Sequence, residues 1–584
     1  MSKLNIDQKT IRELLTDKHA DFLIPDYQRP YAWGEDECAT LWDDLFAFAV
    51  PNDDFEQFDS SSDEYFLGPI VTFKNDDGKL EIIDGQQRLT TIMLLLRAFY
   101  DKFANMKDKQ SIKTRATIAG CVWKTDEFDD PDMDRLKIDS EVASDGDKDE
   151  FLSILCTGKV EKGWKSAYAS NFAFFQRRIT ELVSEWPTYT VYLATRILNN
   201  VILLPIEAES QDTALRIFST LNDRGLPLSD ADIFKSQFYK YYSDLGRKDE
   251  FIKRWKRLEG RVGKIFSPLR GTPMDELFTR YMYYERALEG NRNTTTQALR
   301  DYYGRNAYAL LKREETLDNL EALAGFWSQV DAQEGFSDRV LRQLFILRYA
   351  PNGMWTYLVS VWFLAKRDGS GELDEEEFYS FLRRITGFIF GYAVERPGVN
   401  ALRSPVYPEM INIVKGQDVT FSEYRFSSED IRSRFVAYVF SNQRPITRSM
   451  LVWWAFRNPD QPLIDPDTVL EVEHIYARKR NEFEPLENKG NLEALGNKAM
   501  LEKGVNIRAA DYRFEDKRKY YLGFSNGRGQ SRLGTKIVEL VEMARTRSDF
   551  TEEDIETRTA RIIDSFVDYL GEVGLLSDFG LVLQ

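Results

Sequence analysis

The sequence predicts a helix-rich α+β protein of more than one domain, and three observations carry that expectation. Residues 1–240 alternate short apolar runs of strand length with helical stretches. Residues 241–429 are dominated by helical periodicity, as in MDELFTRYMYYERAL and RVLRQLFILRYA. From 430 a helical lead-in (DIRSRFVAYVF, RSMLVWWAF) precedes a strand, a loop, a second short strand and a helix. At 584 residues the chain is too long for one core, so 1–240, 241–429 and 430–584 are read as separate domains, the middle one a helical spacer.

Composition narrows the class. Hydrophobic residues at 43% and aromatics at 13% exclude a disordered chain. A net charge of −17 excludes nucleic-acid binding by bulk charge, so any such contact has to come from a local basic patch. Cys38, Cys121 and Cys156 are far apart and show no paired spacing, which reads as reduced thiols of a cytoplasmic protein rather than a disulfide framework or a zinc site. The start MSKLNIDQKTIRELL has no apolar signal core and no run reaches transmembrane length, so no membrane partner is expected.

In chain order, YFLGPIVTF and LEIID read as strands joined by the turn Asn75-Asp76-Asp77-Gly78, and VILLPIEA reads as a further strand. The polar stretch from KDKQSIKTRATIAG to SDGDKDE reads as an irregular insertion with long loops. After LEIID comes Asp84-Gly85-Gln86-Gln87-Arg88, then an apolar helix. Asp84 and Gln87 suit a capping box. Arg88 is left over: its charge sits near the positive end of the helix dipole, where an anion would suit it better. No Walker loop is present.

Two other clusters can complete such a site. IPDYQRPYAW sets Gln28 and Arg29 among Tyr27, Tyr31 and Trp33, aromatic faces fit for stacking on a base. IFSTLNDRGLPLSDADIFKS carries Asn222, Arg224 and Gly225 in a turn, then Ser229 and Asp232 as a capping box before a helix bearing Lys235. Taken singly, each is equally a packing feature or an ordinary turn.

KRDGSGELDEEEF imitates a calcium-binding EF-hand loop, but Lys366 puts an ammonium at the first ligand position. The plainer reading is a helix end at the glycines, then Asp374 and Glu377 as a capping box.

In the last stretch, TVLEVEHIYARKR places Glu473-His474 at a strand end, ahead of LGNKAMLEKGVNIRAADYRF. Asn497 precedes the second strand, Lys503-Gly504 make a turn and Asn506 opens a helix with Ile507, Ala510 and Phe514 as its buried stripe. A histidine on the first strand and an asparagine on the helix suit phosphodiester hydrolysis. A neutral imidazole deprotonates water, while Glu473 and Asn506 supply oxygens for a hard divalent ion. Asn497 is placed to hold His474 in the right tautomer. The bland alternative is a strand-end histidine satisfied by its carboxylate neighbour. Between Ile475 and Lys536 there are 14 Lys/Arg against 8 Asp/Glu, a basic surplus that favours phosphate contact.

The segments IPDYQRPYAW, YFLGPIV, IIDGQQRLTTI and FSTLNDRGLPLSDADIFKS, in that order over 22–236, resemble the N-terminal domain of the GmrSD family of modification-dependent (type IV) restriction systems. Glu-His-Ile, then Gly-Asn, a short apolar strand, Asn, Phe and Lys, over about 430–584, resemble that family's C-terminal nuclease, a His-Me finger (HNH) domain. The family continues Glu-His-Ile with a residue, Pro and Gln, where this chain has Tyr476-Ala477-Arg478. Similar domains occur in a phosphorothioate-sensing nuclease and in a restriction enzyme that accompanies BREX systems.

The resemblance implies an N-terminal ParB/sulfiredoxin-like α/β domain that binds and hydrolyses a nucleoside triphosphate, ATP or GTP. Asp84, Gly85, Gln86, Gln87 and Arg88 would contact phosphates or metal, with Asp84 and Arg88 in the hydrolysis and Gln28, Arg29, Asn222, Arg224 and Lys235 completing the pocket. It also implies a C-terminal ββα-metal nuclease using Mg2+ or Mn2+, with His474 and Asn497 in catalysis and Glu473 and Asn506 as metal ligands. The expected function is a nucleotide-regulated endonuclease that cuts modified foreign (phage) double-stranded DNA. The alternative is a non-catalytic, nucleotide-responsive DNA sensor. RNA as target and the oligomeric state, a homodimer included, stay open.

Overall fold

Residues 5–6, 8–26, 28–50, 63–142, 146–210, 213–214, 217, 229–269, 271–398, 400–510, 512–525 and 531–578 are described by a computed structural model. Helices and a mixed sheet make up an α+β protein whose contacts group into two units, Met1–Arg257 and Leu258–Gln584.

The first unit is built on a seven-stranded sheet. Its strands are β1 (Asn5–Ile6), β2 (Lys9–Thr10), β3 (Phe22–Ile24), β4 (Tyr65–Lys74), β5 (Leu80–Asp84), β8 (Ile138–Ser140) and β9 (Val201–Ala208); β6 (Trp123–Thr125) and β7 (Pro131–Leu136) form a separate hairpin. The order is β1-β9-β4-β5-β3-β8, with β2 also on β9. Pairs β4–β9, β3–β5 and β3–β8 are parallel, while β4–β5 is the expected hairpin. Its turn is closed by Gly78 N–H to Asn75 O at 2.9 Å and by Lys79 N–H to the Asn75 side chain at 2.9 Å.

One face of this sheet carries the large core. The helix Gln86–Phe103 lies within it, with Leu89, Ile92, Met93, Leu94, Leu95, Leu96, Phe99 and Phe103 at most 1% exposed, so it is a core helix rather than an amphipathic one. Each such side chain contributes about 1.5–3 kcal/mol by burial. On the other face Val71, Ile83 and Ile206 form a small cluster against Tyr239 of the helix Asp230–Asp244.

The described residues of the stretch expected to be an irregular insertion include regular structure. Lys109–Val122 is a helix, β6 and β7 pair, and β8 is an edge strand of the main sheet. The helix's buried stripe of Ser111, Thr114, Ile118, Ala119, Cys121 and Val122 is mostly small or polar, which hides the period from a hydropathy reading.

In the second unit the helices Pro273–Leu288, Glu314–Ala332, Asp338–Arg348, Met354–Lys366, Glu375–Glu395 and Arg403–Val414 lead into β10 (Leu470–His474) and β11 (Lys498–Glu502). Of the stretch 241–429, read from sequence as a separate helical domain, the residues from Leu258 on group with the C-terminal part of the chain. Helix Glu552–Glu572 packs on helix 375–395, where Tyr569, Leu570 and Leu575 lie against Gly387. Phe426 N–H bonds Leu575 O at 2.9 Å and Ser577 N–H bonds Phe426 O at 2.8 Å. The calcium-like loop is a turn: Asp368 Oδ1 accepts from Ser370 N, Ser370 Oγ and Glu372 N, and Asp374 caps helix 375–395 by accepting from Glu377 N. No described helix is long and apolar enough to cross a membrane.

Candidate functional site

β5 ends at Asp84 and helix 86–103 begins at Gln86, with Gly85 between them in the left-handed region at φ +92°. A Cβ there would stand 3.1 Å from Pro69 O and 3.0 Å from Ile70 Cγ1, so the corner requires glycine. Gly85 is the N-cap and has no side chain to offer; the Asp84–Gln87 capping box does not form. The Asp84 carboxylate turns instead to Arg88, whose Nη2 donates to it at 3.2 Å. Arg88 Nη1 donates to Leu67 O at 3.3 Å and occupies the space a side chain at position 68 would need. Burial pushes the Asp84 carboxyl up from its ordinary range, against the pull of Arg88, of the Gly85 N–H and of Arg29.

The glutamines are struts. Gln87 Oε1 accepts from Ala32 N at 2.8 Å and Trp33 N at 3.3 Å, and its Nε2 donates to Pro30 O at 3.3 Å. Gln86 Nε2 donates to Arg29 O at 3.1 Å. Gln28 Nε2 donates to Ile82 O at 3.1 Å and Ile83 O at 3.2 Å. These three, expected to line a phosphate site, use these amide groups to hang the 28–33 loop on the helix start and on β5. Tyr31 is likewise a packing residue, stacked on Tyr168 at 4.8 Å with its hydroxyl held by Thr91 and Asn171. What stays available is the charge cluster Asp84, Arg88 and Arg29, with Gln86 Oε1 buried and without a partner among the described residues. Lys235 is 4% exposed and its ammonium meets no acceptor among the described residues. The Ser229–Asp232 capping box ahead of it forms. Tyr27, Asn222, Arg224 and Gly225 lie outside the described residues.

The second site is a strand, loop, strand and helix, as expected. β10 pairs antiparallel with β11, Glu473 opposite Ala499 and His474 opposite Lys498. Alternation along β10 sends Glu473 and His474 to opposite faces. Glu473 Oε1 accepts from Lys517 Nζ at 2.6 Å and Tyr521 OH at 2.7 Å, and Lys517 also donates to His474 O at 2.6 Å. Glu473 is 6% exposed and Lys517 1%, a buried pair whose rupture costs about 3–5 kcal/mol. An ammonium therefore stands where the expected cation would sit. Asn506 Nδ2 donates to Glu471 Oε2 at 3.0 Å, two residues before Glu473 on the same face of β10. As folded, the two residues expected as metal ligands are engaged elsewhere, Glu473 by Lys517 and Tyr521 and the Asn506 amide nitrogen by Glu471. Among the described residues no group of three or more His, Cys, Asp and Glu is placed to hold a metal.

Asn497 is fully buried and clamps backbone rather than the imidazole. Its Oδ1 accepts from Tyr476 N at 2.7 Å, and its Nδ2 donates to Tyr476 O at 3.1 Å and Leu492 O at 2.9 Å. It holds the chain that leaves His474, not the ring. The helix carrying Asn506 runs only from Lys503 to Ala509, so Lys503-Gly504 are its first residues rather than a turn. Ala510 stops it at φ +44°; Val505 and Ala509 are buried, Ile507 is 65% exposed and Phe514 starts another helix, Phe514–Leu522.

His474 is 8% exposed, with Nε2 3.4 Å from Glu493 Oε1 but outside hydrogen-bond geometry. Burial lowers its pKa from 6.5 to about 4, although Glu493 pulls the other way. Glu493 also takes Arg478 at 2.9 Å and Lys498 at 2.5 Å. Lys498 is fully buried and donates to Phe440 O at 2.5 Å. Glu493 and Lys498 were not singled out from sequence; Arg478 was named only as a departure from the family's pattern, within a basic stretch expected to contact phosphate. That stretch is partly consumed inside the unit: Lys498 and Lys517 are buried, Arg480 is paired with Asp549 at 2.7 Å, and Arg513 is paired with Glu484. Arg478, with its side chain 56% exposed, faces solvent beside the histidine while paired with Glu493.

The positioning of this hairpin is tight. A Cβ on Gly496 would fall 2.0 Å from Ile555 O of helix 552–572, so only glycine allows the close approach. Arg558 of that helix donates to Leu495 O, Gly496 O and Lys498 O at 3.1, 3.0 and 2.7 Å.

Compared with known families, residues 11–239 match the N-terminal domain of GmrSD restriction endonucleases and residues 427–565 match their C-terminal domain. No curated protein matches the chain.

Proposed function

The chain belongs to the GmrSD restriction endonucleases, a family of DNA endonucleases, and from that premise we propose that it cuts modified foreign DNA at the β10–β11 hairpin, under the control of a nucleotide bound by the first unit. The observation that carries the reading is His474: a ring kept neutral by burial, at a strand end, with a carboxylate 3.4 Å from one nitrogen. A neutral imidazole takes a proton from the attacking water, and Glu493 then faces the imidazolium that forms. Asn497 holds the chain beyond the ring, and Arg478 offers an exposed guanidinium for a phosphate. Glu473 is occupied by Lys517, so cleavage is measured with and without magnesium or manganese.

For the first unit, Arg88 and Arg29 around Asp84 at a helix N-terminus suit a nucleoside triphosphate, and the open acceptor on Gln86 suits a donor group of such a ligand. The test is cleavage of unmodified, methylated, hydroxymethylated, glucosylated and phosphorothioated plasmid, with magnesium or chelator and with or without ATP or GTP. Wild type should cut at least one modified substrate and His474→Ala none. Equal cutting by both would remove His474 from the chemistry.

A further inference from the structure

The helices Pro445–Phe456, Val538–Thr546 and 552–572 enclose a cleft of about 750 Å³ in the second unit, and of the residues placed at the hairpin site only Arg558 lines it. Four arginines reach it. Two are neutralised: Arg558 by Glu539, at 2.8 and 2.7 Å, and Arg547 by Asp554. The other two, Arg457 and Arg561, lie over the indole of Trp454, 5.2 and 5.6 Å from its ring centre. Neither guanidinium makes an ion pair or a hydrogen bond among the described residues.

Trp454 cannot swing away, because its Nε1 donates to Glu539 Oε1 at 2.7 Å and it is 9% exposed. Two guanidiniums are thus held on one fixed ring; burial disfavours the charge on Arg457 and Arg561 adds to that, while Glu572 and Asp568 pull the other way. Stacking on the ring and those carboxylates offset the repulsion, and an anion between the two guanidiniums would relieve it further. Thr546, Thr557 and Ser565 put hydroxyl groups on the same walls; Glu542 is the exposed carboxylate among them. Planar guanidinium pairs with flanking hydroxyls match the oxygens of phosphate.

We propose that this cleft is a phosphate-binding site, in which Arg457 and Arg561 take the phosphodiesters of a nucleic-acid strand. The choice of nucleic acid as the source rests on the proposed endonuclease function, but the site does not require His474 to cut. Its floor residue, Arg558, also holds the backbone at 495, 496 and 498, so a strand seated here is registered against the body that carries His474.

The experiment uses the full chain carrying His474→Ala, so that cutting cannot interfere. Binding of a labelled DNA duplex is followed by fluorescence anisotropy across a salt series, with inorganic tripolyphosphate as a second probe. Arg457→Gln with Arg561→Gln should weaken duplex binding roughly tenfold and reduce the slope of log affinity on log salt by about two. Arg457→Lys with Arg561→Lys should keep most of the slope. If the double variant melts early, the single variants each lower the slope by about one. Loss of tripolyphosphate binding with duplex binding intact would keep the phosphate site and reassign its ligand to a small phosphate. Unchanged affinity and slope for both probes would overturn the proposal, whereas a failed cleavage assay alone would not touch it.

Discussion

At His474 the same burial that keeps the ring available as a base has a cost that can be measured. The unfolded chain protonates this histidine near its ordinary 6.5, the folded chain only at about 4. Between those values the unfolded state binds the extra proton, so stability falls as pH falls through 6.5 and the loss is complete near 4. Replacing the ring by Gln removes that contribution. Calorimetric melting from pH 7 to 4.5 should show wild type losing stability faster than His474→Gln; parallel curves would mean that the ring is open to solvent. His474 and Asn497 were picked out in the sequence because Glu-His-Ile and Gly-Asn resemble the family's pattern, and both lie at the β10–β11 hairpin. Glu493 and Lys498 were not. Only the pairing of β10 with β11 sets Lys498 opposite His474, and cross-strand register is not written in local residue types.

Between Asp84 and Arg88, a strand end becomes a helix start, and here the sequence showed the element but misassigned its parts. The glycine, the strand and the apolar helix were all readable. That the corner is left-handed, and that the glutamines reach a loop more than fifty residues earlier, depends on how that loop folds back. The same limit explains helix Lys503–Ala509, whose expected stripe ran on past a break at Ala510. A strut and a ligand contact can be told apart. Gln87→Ala leaves the N–H groups of Ala32 and Trp33 without their acceptor and should cost about 1–3 kcal/mol of stability. Arg88→Gln keeps a polar partner for Asp84 and should lower the melting temperature less, while removing nucleotide binding in titration calorimetry. The reverse ranking would make Arg88 the strut.

For the molecule as a whole, the α+β class and the order of segments were legible, whereas the grouping into bodies was not. Hydropathy marks which residues seek a core but not which core they share. Phe421 stacks on Phe388 at 3.7 Å, and Gly391 leaves room for the ring of Phe426. Both Phe421 and Phe426 precede the expected boundary at 430, and Phe426 bonds the chain at Leu575 and Ser577. On the far side, Arg383 pairs with Glu572 at 2.5 Å and accepts from Tyr569 OH at 2.8 Å through its carbonyl. A fragment of residues 430–584 would therefore expose Tyr569, Leu570 and Leu575 and lose the helix they pack on, at about 1.5–3 kcal/mol for each apolar side chain. That is a large share of what holds a domain of this size together. Residues 258–584 keep every one of these contacts. Expressed separately, 258–584 should melt cooperatively by circular dichroism and 430–584 should not. Cooperative melting of the shorter piece would show that the C-terminal strands and helices own a complete core, and that the helices before them are the spacer the sequence suggested.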